Sequence, residues 1–137
     1  MKKMSAPVKV KRYTIDEANK AVRYFSAPVL EAMRAYSIIK MAEKVIRHCP
    51  SASEEYVLHS RLYQKGMEKA FGLGHEFHKK YGVDFKDYKY GKLVIPGIYE
   101  DREIDFVWFF NEGTIKGWKT EDDNPLSRRD ISELLAA

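Results

Sequence analysis

Apolar side chains recur at Ile15, Ala18, Val22, Phe25, Val29, Met33, Tyr36 and Ile39, and Ala42, Val45 and Ile46 continue the series. Steps of three and four draw one stripe along a helix. Thr14-x-x-Glu17 stands ahead of it as a capping box, in which the hydroxyl accepts a free backbone N–H and the carboxylate reaches back to the cap. His48-Cys49-Pro50 closes the element. Pro28 lies inside the run, where a proline loses a backbone hydrogen bond and costs about 3 kcal/mol. The stripe keeps phase on both sides of it, which predicts a kink in preference to a break with Ser26 as a new cap.

A second stripe follows at Tyr56, Tyr63, Met67, Ala70, Phe71, Gly74, Phe77 and Tyr81, with Leu58 and Leu62 beside it. Its start is expected between Ser51 and Ser53, with Ser51-x-x-Glu54 as another capping-box candidate, and Gly82 suits the C-terminal cap. Gly66, Gly72 and Gly74 each cost a helix up to ~1 kcal/mol against alanine and point to close approach of a neighbouring backbone. Two such helices joined by a few residues form an antiparallel hairpin with arms of about 45 Å. A lone pair of that length leaves its aromatic load uncovered. Either the C-terminal part folds back onto the hairpin or another subunit packs against it.

The period then changes to two. Lys92-Leu93-Val94-Ile95 reads as a short strand stopped by Pro96-Gly97. Ile104, Phe106, Trp108 and Phe110 alternate with Asp105, Val107 and Phe109 in a second strand, Asn111-Glu112-Gly113 turns, and Thr114 to Lys119 returns as its partner. Val107 and Phe109 make both faces apolar over part of this hairpin, so it is expected between the helices and some other cover. Val83 to Tyr90 is short and mixed, and an acidic stretch (Glu121, Asp122, Asp123) leads to Pro125 and a short helix near Ser127 to Leu135. The fold class is α+β: a long antiparallel helical hairpin, first helix kinked near Pro28, then a small antiparallel sheet and a short C-terminal helix. Residues 1–12 read as a flexible basic leader and 13–137 as one domain. Within it, 13–82 form the hairpin, 83–120 the sheet, and 121–137 the acidic loop and last helix.

Among 137 residues, 45% are hydrophobic and 32% charged, as in a soluble globular chain. No apolar run nears the ~20 residues that span a bilayer. The first residues lack the apolar core of a secretory signal, and the lone Cys49 excludes an internal disulfide, so a cytoplasmic setting is expected. The net charge of +4 is uneven. Residues 1–12 carry +5 from Lys2, Lys3, Lys9, Lys11 and Arg12; residues 13–98 carry +4 and residues 99–137 carry −5. The leader is a solvated tail or a phosphate-contacting arm. The acidic end repels phosphates, so nucleic acid is not the expected partner.

The order of short motifs adds a family likeness. Tyr13-Thr14-Ile15-Asp16-Glu17-Ala18-Asn19 opens the domain, and two helices, Gly82-Val83 and Gly91-Lys92-Leu93-Val94-Ile95-Pro96 follow. Next come Arg102-Glu103, Trp108-Phe109-Phe110-Asn111-Glu112-Gly113 and Ile115-Lys116-Gly117-Trp118. This succession, over roughly residues 13 to 131, resembles the bacterial family catalogued as domain of unknown function 2203, whose members show F-T-x-x-E-A-N, G-L-V-D-F-P, C-W-R-x-G-E and W-H in that order. Where that pattern has Trp-His this chain has Trp118-Lys119, and the family's arginine-containing ending is loosely echoed by Asn124-Pro125-Leu126-Ser127-Arg128-Arg129. The resemblance implies a fold, not an activity.

Candidate chemistry is sparse. His75 and His78 lie at i and i+3 on one helical face, and pairing of the helices about residue 51 sets Glu43 roughly opposite His59. Such a carboxylate–histidine set is how bundles hold metals, but Glu-x-x-His is not repeated here, and solvated surface histidines are the plainer reading. Cys49 next to His48 points away from it, Gly72-x-Gly74 lacks the rest of a dinucleotide fingerprint, and no Walker motif occurs. No cofactor is predicted. Trp108, Phe110 and Trp118 can form an aromatic face with Lys119, Arg128 and Arg129 around it. That face is core, a protein interface, or a ligand site with an arginine gripping an anion. Enzymatic activity is undecided, leaning to none. The leading expectation is a non-enzymatic module that forms a homodimer or higher homo-oligomer through the helical hairpin, with another protein partner possible. A small-ligand binder or enzyme at the aromatic–basic face, and a nucleic-acid accessory protein using the leader, are the alternatives.

Overall fold

The capping box forms as its spacing predicts. Thr14 Oγ1 accepts the Glu17 N–H at 3.2 Å, and Glu17 Oε1 accepts the Thr14 N–H at 2.9 Å. The structure, a computed structural model, describes residues 11–136. Helix α1 (Ile15–His48) runs unbroken through Pro28. Ser26 caps nothing; its hydroxyl donates to the Val22 carbonyl one turn back. Helix α2 (Glu54–Tyr81) is capped by Ser53, whose Oγ accepts the Tyr56 N–H at 3.2 Å. The Ser51–Glu54 box does not form, because Ala52 takes a positive φ in the turn and places Ser53 at the cap. Gly82 ends α2 in the left-handed conformation, with φ of 67°.

The helices meet through small residues. A Cβ on Gly66 would fall 2.8 Å from Ile39 Cγ1 and 3.2 Å from the Ala35 carbonyl oxygen, and Ala35, Ala42 and Ala70 are buried along the same seam. Gly74 makes room for the Tyr88 ring, whereas Gly72 borders open space and permits no approach.

Five strands follow as an antiparallel meander in chain order: β1 (Asp84–Asp87), β2 (Lys92–Tyr99), β3 (Arg102–Phe109), β4 (Gly117–Lys119) and β5 (Arg129–Asp130). Strand β1 lies in the stretch whose sequence was mixed, and β2 passes through Pro96-Gly97 where a stop was expected. Pro96 is tolerated because β1 pairs no further along β2 than Val94. Beyond that point the edge of β2 meets Tyr13, whose N–H donates to the Pro96 carbonyl and whose carbonyl accepts the Ile98 N–H. Gly97 lets the Phe106 ring lie across the strand; a Cβ there would sit 2.5 Å from the ring. The return strand is shorter than Thr114–Lys119, because Ile115 turns into the core and its N–H donates to Asn19 Oδ1 of α1 at 2.7 Å. Helix α3 (Ile131–Leu135) starts later than Ser127, since Arg129 and Asp130 first join the sheet and Asp130 then caps the helix.

One sheet face carries Leu93, Ile95, Ile104, Phe106, Trp108 and Trp118, and packs on Ala18, Val22, Phe25 and Val29 of α1 and on Phe77 of α2. The C-terminal part therefore folds back onto the base of the hairpin. The opposite face buries Val94 and Val107 under the chain's own segment 120–128, where the Arg128 guanidinium stands 4.9 Å over the Phe109 ring. That segment is the second cover the two apolar faces of β3 called for. The tip of the hairpin extends past the sheet.

Candidate functional site

The aromatic and basic side chains meet at Trp118 and Arg129, whereas Arg128 and Lys119 lie on the other side of the sheet. Trp108 is fully buried against the helices, with its indole N–H donating to the Glu112 carbonyl at 2.7 Å, and Phe110 packs edge-on to it. Trp118 is buried in the same layer and donates to the Asp130 carbonyl. Arg129 lies 5.1 Å over the Trp118 ring while its guanidinium grips Asp123 through two bonds of 2.7 and 2.8 Å. That grip, with a further bond from the Thr120 N–H, holds the Asp123 carboxyl well below the usual carboxylate range. Arg128 is spent on Glu112, at 2.7 and 2.9 Å, and on the Val107 carbonyl. Lys119 points to the other side of the sheet and pairs with Asp105 at 3.5 Å. Strand alternation correctly gathers the aromatics on one face; that face is the core, and both arginines close the C-terminal segment onto the sheet.

The candidate metal residues are likewise apart. His78 Nδ1 stands 3.0 Å from Asp84, and His75 is exposed. His59 Nδ1 bonds the Glu55 carbonyl, and Glu43 pairs with Arg47 at 3.0 Å and Lys40 at 3.5 Å. Among the described residues no group of three or more His, Cys, Asp or Glu could hold a metal ion. Of the leader, Lys2, Lys3 and Lys9 lie outside the described residues. Lys11 rests over the Tyr13 ring, and Arg12 is tied to the sheet, donating to the Gly97 and Ile104 carbonyls at 3.2 Å and facing Glu103 at 3.4 Å.

A cavity of about 750 Å³ forms a groove between α1 and α2 on the side away from the sheet. Leu30, Ala35 and Ile38 form one wall, and Leu62 and Gly66 the other. It exists because the close Gly66–Ala35 seam sinks the helix contact and leaves larger side chains standing on either side. A Lys69–Glu31 ion pair of 2.9 Å crosses it at the sheet end, and Arg34 and Lys65 line it further out. Towards the tip the apolar surface continues with Ile38 (41% exposed), Met41 (45%) and Leu58 (54%). The core stripe of α1 hides this second one: Leu30, Arg34, Ile38 and Met41 recur at threes and fours on the opposite side of the helix. That repeat was the signal for it. The groove has few polar groups to orient a reacting molecule and suits apolar side chains.

No protein-family model matches the chain, and no curated protein or solved structure matches it. No helix of the described residues is long and apolar enough to cross a membrane.

Proposed function

We propose that the protein is a non-enzymatic interaction module that self-associates by packing the groove face of its helical hairpin on that of a second copy. The observation that carries this reading is the apolar row Leu30, Ile38, Met41, Leu58 and Leu62, left standing on the side of the hairpin that the sheet does not cover. A face two helices wide (~20 Å) and running from Ala27 to His48 (~30 Å) presents about 600 Å² in projection, close to the roughly 800 Å² each partner gives a stable interface. Charge favours an antiparallel two-fold about Leu62. Glu55 lies near the tip and Lys65 further towards the base, so each copy sets its Glu55 against the Lys65 of the other. The motif order shared with the domain of unknown function 2203 family, and a cytoplasmic setting suggested by the lone Cys49, belong to the same reading. Sedimentation velocity at 5–200 μM (about the range that separates μM dimers from monomers) tests it. A dimer that Ile38→Glu or Leu62→Glu converts to monomer is expected. A wild-type monomer throughout, or a dimer indifferent to both changes, refutes it.

A further inference from the structure

A second cavity, about 430 Å³, opens on the outer face of the sheet between β1–β4 and the segment carrying Pro125 and Leu126. Its floor is Val94. Lys92 enters it from β2 at the position paired with Phe109, and is 9% exposed, the one buried charged side chain among the described residues. An ammonium has three donors, and burying a charge is costly unless it is paired. Lys92 Nζ makes one hydrogen bond, to the Pro125 carbonyl at 3.2 Å, stands 6.0 Å over the Phe109 ring, and forms no ion pair within 4.0 Å among the described residues. The carboxylates nearby are committed elsewhere. Asp105 pairs with Lys119, Asp84 faces His78 and Lys86, and Asp87 Oδ1 accepts the Lys89 and Tyr90 N–H groups of the turn. What the cavity offers a guest is thus one buried cation with no carboxylate at ion-pair distance, over an apolar floor, in a lining that also holds Lys86, Lys119 and the carboxylates of Asp84, Asp87 and Asp105. Leu126, 87% exposed, stands at its rim as an apolar cover with nothing beneath it.

We infer that this cavity binds a small monocarboxylate with a short apolar body, its oxygens on Lys92 and its hydrocarbon between Val94 and Leu126. A single negative charge matches the one buried ammonium that lacks an ion pair. A larger anion would have to displace Asp105 from Lys119. The apolar body replaces water against Val94 and gives Leu126 a surface to cover. This site lies on the sheet, away from the hairpin groove, and stands whether or not the protein self-associates.

The test is a ¹H–¹⁵N NMR titration of the whole protein with sodium isovalerate, against sodium chloride at equal ionic strength, with inorganic phosphate as a probe lacking the hydrocarbon. Saturable shifts at Val94, Lys119 and Leu126 are expected with isovalerate. Lys92→Met should weaken them at least about tenfold, the size of one charge-assisted hydrogen bond. A buried lysine replaced by an apolar side chain of similar length keeps the sheet packed. Leu126→Ser changes an exposed residue, leaves the fold intact in any case, and should weaken binding about three- to tenfold through lost apolar contact. No saturation, unchanged shifts in both variants, equal shifts with chloride, or phosphate binding as tightly as isovalerate would each overturn the assignment.

Discussion

Alanine in place of glycine has opposite expected signs at two positions of this chain. Gly97 has no positive φ, so by backbone entropy alone Gly97→Ala should stabilise by about 0.4–1 kcal/mol. Contact reverses that sign. The new methyl would lie 2.5, 2.8 and 3.0 Å from three carbons of the Phe106 ring, about 1 Å inside ordinary contact. The ring cannot retreat: Phe106 is fully buried, facing Ile95 on one neighbouring strand and Trp118 on the other. Overpacking of this kind costs about 1–3 kcal/mol, leaving a net loss of about 1–2. For a chain of this length each kcal/mol moves the melting temperature by roughly 3–5 °C, so a fall of roughly 3–10 °C is expected in thermal unfolding followed by circular dichroism. Gly72→Ala is the control. Its Cβ meets nothing within 4 Å in the interior of α2, so about 1 kcal/mol of helix propensity should raise the melting temperature by roughly the same 3–5 °C. A double-mutant cycle with Phe106→Leu isolates the collision, because removing the ring should cancel the penalty at Gly97 and leave a coupling of about 1–2 kcal/mol. A Gly97→Ala protein that melts with or above the wild type, or strictly additive costs in the cycle, would refute the close approach.

Asn19→Ala should destabilise by about 1–3 kcal/mol in urea unfolding, because the buried Ile115 N–H loses its acceptor across the helix–sheet junction. Acid should weaken the fold through Asp123, held low by Arg129, and Asp130, held low by hydrogen bonds from Ser132. Both ionise more readily folded than unfolded. The unfolded chain therefore takes up more protons as the pH falls past the ordinary carboxylate value of 3.8, and the stability present above that value is lost on the way to the lower folded values. Melting temperatures of the wild type should drop more steeply from pH 5 to pH 2 (about the carboxylate range) than those of Asp123→Asn, and parallel curves would remove Asp123 from the account.

The helical half was readable because its signals are local: the Thr14–Glu17 box, the three–four stripes and the Gly82 cap all lie within one or two turns. Misreadings came where backbone conformation or distant residues decide. Ser51 and Ser53 are equivalent as letters, and the positive φ of Ala52 selects between them. Pro96-Gly97 reads as a stop, and stays strand because β3 pairs with it on one side, while on the other β1 has ended and Tyr13, 84 positions earlier, bonds the Pro96 carbonyl and the Ile98 N–H. Alternation gathers Trp108 and Trp118 on one face and leaves core, interface and ligand site open for it; the helices make it core. Lys92 heads a strand in the sequence with no sign there of burial; the residue that covers it, Pro125, lies 33 positions on.

The bridge between Tyr13 and Gly97 also orders events in time. A ribosome releases α1 and α2 well before β2 exists, so the hairpin can zip from neighbouring contacts while Val22, Phe25 and Val29 still lack the sheet that covers them. The meander likewise pairs each strand with the next. Both halves have low contact order, and the closure that joins them, Tyr13 to Gly97 and Asn19 to Ile115, spans most of the chain. Docking of the two halves is then the step expected to be slowest, and the nascent hairpin the species expected to expose apolar surface longest.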